Sequence, residues 1–233
     1  MLRSQRIKIV LDVAKSKGFR SGENPVTAIK DGQVLPKVKV KVKHHKAMPW
    51  QDIPAFWQDL SSRNAMSAKA LMFTCLTGSR TNEVLGAKWE EFDFVENVWT
   101  VPEERMKPDT IHRVPLAPEM LDIIEPLKAM QSKYVFEGQK RHKPLSNMSM
   151  LMLLRRMKIE GVTVHGFRST FRDWASEVAR APREVAEISL SHTVGTDSER
   201  AYARSDLLEQ RRVLMDRWSR FVNEKSGKVV GIG

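Results

Sequence analysis

The sequence has very little cysteine and no long hydrophobic run. Its 233 residues include a single cysteine, Cys75, which excludes an internal disulfide framework and any metal cluster built from cysteine thiolates. Cys75 lies in the apolar run SAKALMFTCLT, so we expect a buried thiol. No stretch approaches the roughly 18 apolar residues of a transmembrane helix, and the N-terminus is too polar for a signal peptide. We therefore expect a cytoplasmic protein without a membrane partner.

Common enzyme signatures are missing as well. The sequence contains no Walker-type phosphate loop, no GxGxxG, no HExxH and no GxSxG. Its six histidines are scattered, and none forms a pair at the spacing of helical metal ligands. We therefore expect a function that uses neither a metal nor a cofactor.

Positive charge is abundant, and most of it lies near the N-terminus. The chain has 39 lysines and arginines against 28 acidic residues, a net charge of +11, which favours a polyanionic partner, above all nucleic acid. Residues 1–50 carry 12 basic and 3 acidic residues, a net charge of +9, and the remaining 183 residues carry only +2. The partner is therefore suggested mainly by the N-terminal part.

The densest basic stretch is PKVKVKVKHHK at residues 36–46, whose alternation has the period of a β-strand. One interpretation is an exposed edge strand or solvated linker whose lysines block pairing. The other is a tether along a phosphate backbone, where each lysine releases counterions. The pattern alone does not decide between them. The candidate DNA-binding residues are Lys37, Lys39, Lys41, Lys43 and Lys46.

The hydrophobic pattern predicts a mainly α chain with a small antiparallel β-sheet, an α+β fold. A first helix is predicted over residues 2–17 and is ended by Gly18. One compact domain follows from Pro49. Its predicted helices cover 54–60, 65–76, 82–88, 118–130, 146–157 and most of 164–223. Its predicted strands are 98–101 and 111–116, joined by a polar turn, and a short one at 134–136.

Several cationic and polar residues stand at the boundaries of these elements. Arg80 follows a break between two apolar helices, where it is either a surface arginine paired with Glu83 or a guanidinium that binds a phosphate. His165 and Arg168 are three residues apart and share one helical face. A core histidine beside a solvent arginine would produce the same spacing.

Two further residues complete a chemically consistent set. His192 ends the apolar segment EVAEISLSH, where a histidine is often only a favourable charge at a helix C-terminus. Tyr202 is one of only two tyrosines, and its hydroxyl is a candidate nucleophile. Two arginines and a histidine can stabilise the charge that develops on an attacked phosphodiester without a metal, and a lysine or histidine can protonate the leaving alkoxide. The residues therefore fit phosphoryl transfer.

Five pieces of sequence occur in a distinctive order: TGSRTNEVLGAKW at 77–89, RMKPDTIHRVPL at 105–116, HGFRSTF at 165–171, SH at 191–192, and Tyr202. Together they resemble the catalytic domain of the tyrosine recombinases, the phage-integrase family, over residues 49–223. The resemblance is strongest to integrases of prophages and genomic islands. It implies that family's α+β catalytic fold and the catalytic set Arg80, Lys107, His165, Arg168, His192 and Tyr202, with Glu83 supporting the first arginine.

The resemblance also implies a role for each residue. The two arginines and His192 would bind the scissile phosphate, and Tyr202 would form a 3′-phosphotyrosyl link while freeing a 5′-hydroxyl. Lys107 would protonate that leaving oxygen, and His165 would act as a general acid or base. The reaction would be DNA strand exchange, integrating or excising a mobile element without ATP or metal. The implied partners are double-stranded DNA at attachment sites, three further copies in a tetramer, and a DNA-bending accessory protein.

The domain organisation follows from the same resemblance. Residues 1–23 would be the C-terminal helix of a core-binding domain, 24–48 a basic interdomain linker, 49–223 the catalytic domain and 224–233 a flexible tail. Most of the core-binding domain would be absent. We therefore expect an N-terminally truncated form that binds DNA weakly.

Two other functions stay open. An integrase remnant could bind DNA without turnover, and a type IB topoisomerase-like enzyme would use the same chemistry to relax DNA alone. The complete catalytic set favours an enzyme, because a pure binding module does not need an ordered phenol. The detailed motif match favours a recombinase over a topoisomerase.

Overall fold

The structure is a computed structural model in which the chain divides into two compact units, Met1–His44 and His45–Gly233. It describes residues 2–27, 46–106, 110–195 and 205–224. Within these ranges no helix is long and apolar enough to span a bilayer.

The first unit contains helix α1, Leu2–Ser16, which confirms the helix predicted at this end of the chain. Gly18 follows it in the left-handed region, at φ +74°, a conformation that glycine adopts without steric cost. The buried Asn24 side chain donates to the carbonyl of Lys8 at 2.9 Å and to the Asp12 carboxylate at 2.6 Å. Asn24 thereby holds the loop after the helix against the helix itself.

The second unit is mainly helical with one three-stranded antiparallel sheet, which confirms the predicted fold class. The strands, in the order β1-β2-β3, are β1 Phe92–Asp93, β2 Val98–Val101 and β3 His112–Pro115. The α-helices of this unit within the described residues are α2 Ile53–Ser61, α3 Met66–Thr77, α4 Thr81–Leu85, α5 Pro118–Ile124, α6 Ser149–Arg156, α7 Gly166–Glu177, α8 Arg183–Ser189 and α9 Leu208–Asn223.

Helix α3 forms the centre of the core. Its apolar residues are distributed around the helix, and most of its residues are buried, as expected of a helix surrounded by other elements. Phe73 packs against Trp99 of the sheet at a ring separation of 5.5 Å and against Phe136 at 5.6 Å. Cys75 is 1% exposed, which confirms the buried thiol, and this burial raises its pKa.

The sheet pairs β2 with β3 as the alternating pattern predicts, with Val101 opposite His112. The pattern does not predict β1, because two residues are too few to show a period. The strand predicted at 134–136 is wrong, since Tyr134 makes only an isolated bridge with Lys88. An apolar run this short does not distinguish a strand from a packed loop.

Three predicted helices differ from the structure by more than one residue, and one of them, predicted over 82–88, ends at Leu85. The segment 118–130 is α-helical for 7 residues and then 3-10 helical for 6, because Pro126 lacks the amide donor that an α-helix needs there. The helix predicted to begin at Ser146 begins at Ser149. The Ser146 hydroxyl accepts a hydrogen bond from the Met148 amide at 3.3 Å. It therefore closes a turn before the helix instead of capping its first turn.

The start of α7 is packed against the chain segment that enters the second unit. The Thr163 amide donates to the Lys46 carbonyl at 3.1 Å, and the Thr170 hydroxyl donates to the Met48 carbonyl at 2.6 Å. Gly166 lies where this segment crosses the helix. A Cβ atom added at Gly166 would stand 2.2 Å from the Lys46 carbonyl oxygen, so only glycine allows the backbones to approach this closely.

This crossing makes Gly166 sensitive to the smallest substitution. We expect Gly166→Ala to lower the free energy of unfolding by about 2–3 kcal/mol, because the backbone must shift to remove the overlap. Urea denaturation followed by tryptophan fluorescence measures the change. Gly22→Ala is the matched control, since its Cβ would meet only the Arg20 side chain at 3.5 Å. An unchanged stability of Gly166→Ala would contradict the close approach.

Candidate active site

Arg80 is held at the start of a short helix by Glu83. Helix α3 ends at Gly78, which has φ +61°, and α4 begins directly after Arg80. The Glu83 carboxylate accepts hydrogen bonds from the Arg80 amide and from its Nη1, each at 2.8 Å. The Glu83 side chain is 2% exposed, whereas that of Arg80 is 23% exposed. The buried carboxylate therefore orients a guanidinium that solvent or a ligand can still reach.

Arg168 extends from α7 to the ends of two other helices. It is buried, so the alternative of a solvent arginine is wrong. Its Nη1 donates to the Gly78 carbonyl, and its Nη2 donates to the Leu190 carbonyl at 2.6 Å. Its Nε is buried without a hydrogen-bond partner among the described residues. Burial, with a further contribution from Arg80, lowers the pKa of Arg168 to about 10, so the group remains charged at neutral pH.

Both arginines meet at Ser189–His192, four residues that we call the SLSH turn. Arg80 donates through Nη1 to the Ser191 hydroxyl at 3.3 Å and through Nη2 to the Ser191 carbonyl at 3.2 Å. Ser191 has φ +52°, a conformation that is uncommon for serine. Arg168 reaches the preceding carbonyl of the same turn. The SLSH turn thus joins two cations that come from separate helices.

His192 ends this turn and is oriented from both ring nitrogens. Its Nδ1 lies 2.6 Å from Glu187 and its Nε2 lies 3.0 Å from Nη2 of Arg168. Because a carboxylate only accepts, Nδ1 carries the proton, and in the neutral ring Nε2 accepts from the arginine. Arg172 also donates to Glu187, at 2.7 Å. Burial alone would raise the pKa of Glu187, but the hydrogen bonds from Arg172 and His192 lower it.

Sequence reasoning did not find Glu187 and Arg172. Glu187 is five residues before His192, a separation that does not place two side chains together on a regular helix. The side chains of Glu187 and His192 meet because α8 ends at Ser189 and the chain turns back. No local pattern indicates this turn, since the left-handed residue that forms it is a serine.

His165 lies directly before α7 and is exposed, so the alternative of a core histidine is wrong. Its position beside Gly166 places it at the crossing with the chain segment that contains Lys46. The Gly166 amide donates to the Thr163 carbonyl at 2.9 Å, which closes the turn that presents His165. The acid or base role of His165 stays a prediction.

Several predicted residues lie outside the described residues. Tyr202 and Lys107 are two of these, and so are four of the five proposed DNA-binding lysines: Lys37, Lys39, Lys41 and Lys43. The fifth, Lys46, is described and exposed. The roles assigned to these residues stay predictions.

His112 is a buried polar residue that sequence reasoning included in the motif at 105–116 without giving it a role. It is 6% exposed and begins β3, in which Arg113 is exposed and Val114 is buried. This alternation is the signal that could have placed His112 on the inner face. Burial, followed by the charges of Arg211, Arg168 and Arg80, lowers its pKa to about 3. In the described parts of the chain no group of three His, Cys, Asp or Glu side chains could hold a metal ion.

The buried His112 predicts a specific loss of stability in acid. Its pKa is about 3 in the folded chain and about 6.5 in an unfolded one, so protonation favours unfolding. Its full contribution is present above pH 6.5 and is lost as the pH falls towards 3. We expect the free energy of unfolding to decrease more steeply over this range in the wild type than in His112→Gln. Urea denaturation at a series of pH values compares the two, and equal slopes would contradict the buried neutral state.

Comparison with known sequences identifies the family. The model of the phage integrase family matches residues 47–207. Prophage integrase IntA of Escherichia coli (strain K12) is 31% identical over 233 residues, which cover 97% of this chain and 55% of that protein. The integrase of Shigella phage Sf6 is 28% identical over 193 residues, 78% of this chain and 49% of that protein. The chain thus spans about half the length of these curated relatives.

Solved structures show the same fold. A lambda integrase tetramer bound to a Holliday junction matches with a TM-score of 0.62 and 18% identity, over 84% of this chain and 59% of that one. A lambda integrase dimer bound to a COC′ core site matches with a TM-score of 0.60 and 19% identity, over 88% of this chain and 59% of that one. Because the family model matches more than half of its residues, this chain belongs to the phage integrase family, the tyrosine recombinases.

Proposed function

We propose that this chain is the catalytic part of a site-specific DNA recombinase, which cleaves and rejoins strands through a 3′-phosphotyrosyl intermediate to integrate or excise a mobile element. The observation that carries the proposal is the meeting of Arg80, Arg168 and His192 at the SLSH turn. Two guanidinium groups and an imidazole at one turn form a site for a single phosphodiester.

Arg80 is arranged to bind two phosphate oxygens. Its Nη1 donates to Glu83 and to the Ser191 hydroxyl, and its Nη2 donates once, to the Ser191 carbonyl. Among the described residues this leaves Nε–H and one N–H of Nη2 for a ligand. Nε and Nη2 lie along one edge of the planar group, and a phosphate can bind to such an edge in a bidentate geometry.

Arg168 and His192 would supply the remaining donors. The unpartnered Nε of Arg168 is a buried donor, and such groups are costly unless a ligand accepts from them. The Glu187 carboxylate accepts from Nδ1 of His192 and fixes the orientation of the ring. His192 would thereby present Nε2, beside Nη2 of Arg168, to the phosphate.

The covalent steps proposed here are those that the resemblance to the tyrosine recombinases implies. The Tyr202 phenolate oxygen would form a bond to phosphorus while the bond from phosphorus to the 5′-oxygen breaks. The leaving alkoxide would take its proton from Lys107, with His165 as the acid or base partner. The phosphodiester energy would remain in the phosphotyrosyl link, so that a 5′-hydroxyl can reverse the step without ATP.

The partners and the domain organisation are part of the proposal. The solved lambda integrase relatives are a dimer bound to a core site and a tetramer bound to a Holliday junction, which supports duplex DNA as the partner and a homotetramer as the assembly. The lysines of the linker, residues 24–48, would contact the phosphate backbone outside the catalytic domain, residues 49–223.

A covalent-capture experiment tests the nucleophile. A pool of nicked duplexes with a randomised central sequence is incubated with the protein, and SDS-stable adducts are isolated and sequenced. We expect wild-type adducts that Tyr202→Phe abolishes, because the phenol is the only group that carries the DNA. Peptide mass spectrometry locates the linkage. Adducts that persist in Tyr202→Phe would disprove the assignment, and a wild type that binds DNA without forming adducts would favour a non-catalytic remnant.

Substitution of Arg80 tests the phosphate site, because it separates the rate of adduct formation from the affinity for duplex DNA. We expect Arg80→Ala to retain duplex affinity within about threefold and to form adducts at least about 100-fold more slowly, because its donors act on the charge of the transition state. Arg63→Ala is the control, since Arg63 pairs with Asp59 on the surface. An equal loss of affinity and cleavage would instead assign Arg80 a general structural role.

A further inference from the structure

Arg105 is placed by a short turn at the end of strand β2. It is the last residue of the 3-10 helix Glu103–Arg105, and its amide donates to the Pro102 carbonyl at 3.1 Å. The next residue, Met106, is buried in the hydrophobic core. The backbone that carries Arg105 is therefore packed firmly on the domain. The family resemblance gives a role to Lys107 of the same motif and none to Arg105.

The guanidinium of Arg105 has two acceptors that belong to different segments. Its Nη1 forms an ion pair with the Glu91 carboxylate, and its Nη2 donates to the Glu83 carbonyl. The side chains of the ion pair are largely buried, with Arg105 18% and Glu91 5% exposed. The other oxygen of Glu91 accepts from the indole of Trp99 at 3.0 Å, and Trp99 is completely buried in β2. The sheet thus holds Glu91, and Glu91 holds Arg105.

The Glu83 carbonyl needs a donor from outside its own helix. Helix α4 has only 5 residues. The amide four residues after Glu83, that of Ala87, donates to the Val84 carbonyl instead, at 3.1 Å. The last carbonyls of a helix lack intrahelical partners, and Arg105 supplies the donor for this one. Arg105 thereby holds the backbone of the residue whose carboxylate orients Arg80.

Gly86 leaves the space that the guanidinium of Arg105 occupies. Its φ is −88°, so its backbone conformation does not require glycine. A Cβ atom added at Gly86 would stand 3.1 Å from Nη2 of Arg105 and 3.1 Å from the Asn82 carbonyl oxygen. The close packing at the end of α4 therefore includes the guanidinium, in agreement with its hydrogen bond to Glu83.

The two acceptors favour an arginine over a lysine. A guanidinium presents Nη1 and Nη2 as separate donors in a fixed planar fork, whereas the three donors of a lysine share one nitrogen. A lysine at this position could still pair with Glu91. It could not occupy both donor positions at once, so the Glu83 carbonyl would lose its donor.

We propose that Arg105 is a positioning residue, which fixes the backbone of Glu83 so that the Glu83 carboxylate orients Arg80 towards the phosphate. The inference rests on the proposed strand-transfer function. It assigns Arg105 an indirect role, through Glu83, and no contact with the DNA.

The first test measures the rate of adduct formation at saturating nicked DNA together with the melting temperature. We expect Arg105→Lys to melt close to the wild-type temperature, because the lysine can still pair with Glu91. Its first-order rate should nevertheless be about 10- to 100-fold lower, with duplex affinity within about threefold, since misplacing a catalytic group by about 1 Å can cost about 100-fold.

A second variant and a control separate this role from a loss of stability. Arg105→Met combined with Glu91→Gln removes both charges, so that no buried carboxylate is left unpaired, and it should show the same loss of rate. Ser219→Ala removes a buried hydrogen bond to Glu119, at 2.8 Å, and should lower the melting temperature without changing the rate. A wild-type rate in either Arg105 variant would overturn the inference. Rates that follow the melting temperature across all three variants would overturn it too.

The second test is independent of strand transfer. Inorganic phosphate is titrated into the wild type and into Arg105→Lys while NMR follows the Nε–H resonance of Arg80, which is assigned by its loss in Arg80→Lys. We expect phosphate to shift this resonance in the wild type and to bind at least about fivefold more weakly to Arg105→Lys, because bidentate binding depends on the orientation of the guanidinium.

The outcomes of this titration separate the inference from the proposed function. Equal phosphate binding by the two proteins would overturn the role of Arg105. A wild-type resonance that phosphate does not shift would overturn the phosphate site at Arg80, and the inference with it. A wild type that binds phosphate but never forms a DNA adduct would overturn the proposed function alone.

Discussion

The arrangement of the site depends on one buried cation. Arg168 is 4% exposed, and a guanidinium can leave water only where acceptors replace its lost hydration. Two of its acceptors are the carbonyls of Gly78 and Leu190, which lie just beyond the ends of α3 and α8, where backbone oxygens lack intrahelical partners. One side chain therefore satisfies two helix ends, and in doing so it joins the segments that carry Arg80 and His192.

Net charge and local charge describe different parts of this chain. Nine of the eleven net positive charges belong to residues 1–50, so the total mainly reflects the N-terminal part. The site uses few side chains, each held by a specific carboxylate or carbonyl: Glu83 orients Arg80, and Glu187 orients His192. Affinity for a polyanion depends on how many cations a surface carries. Stabilising one phosphate depends on where two or three of them lie.

Much of the fold could be predicted, and the errors have physical causes. Periodicity located the longer helices, and β-forming residues on both sides of a polar turn located the β2–β3 hairpin. The strand predicted at 134–136 was too short to show a period. In the predicted helix 118–130, Pro126 changed the second half from an α-helix to a 3-10 helix. At the site, ordered motifs identified Arg80, Arg168 and His192 together. Glu187 was missed because its contact with His192 depends on a turn with no sequence signature.

The sequence by itself determined the family and singled out Arg80, Arg168 and His192 as candidate site residues, because ordered motifs and side-chain chemistry are local properties. It could not decide whether Arg168 faces solvent or is buried, nor whether His112 is exposed or buried. Only the tertiary structure decided these points. Burial and hydrogen-bond partners are set by segments far apart in the chain, here α3, β3, α7 and the SLSH turn, and their meeting has no counterpart in any single stretch of sequence.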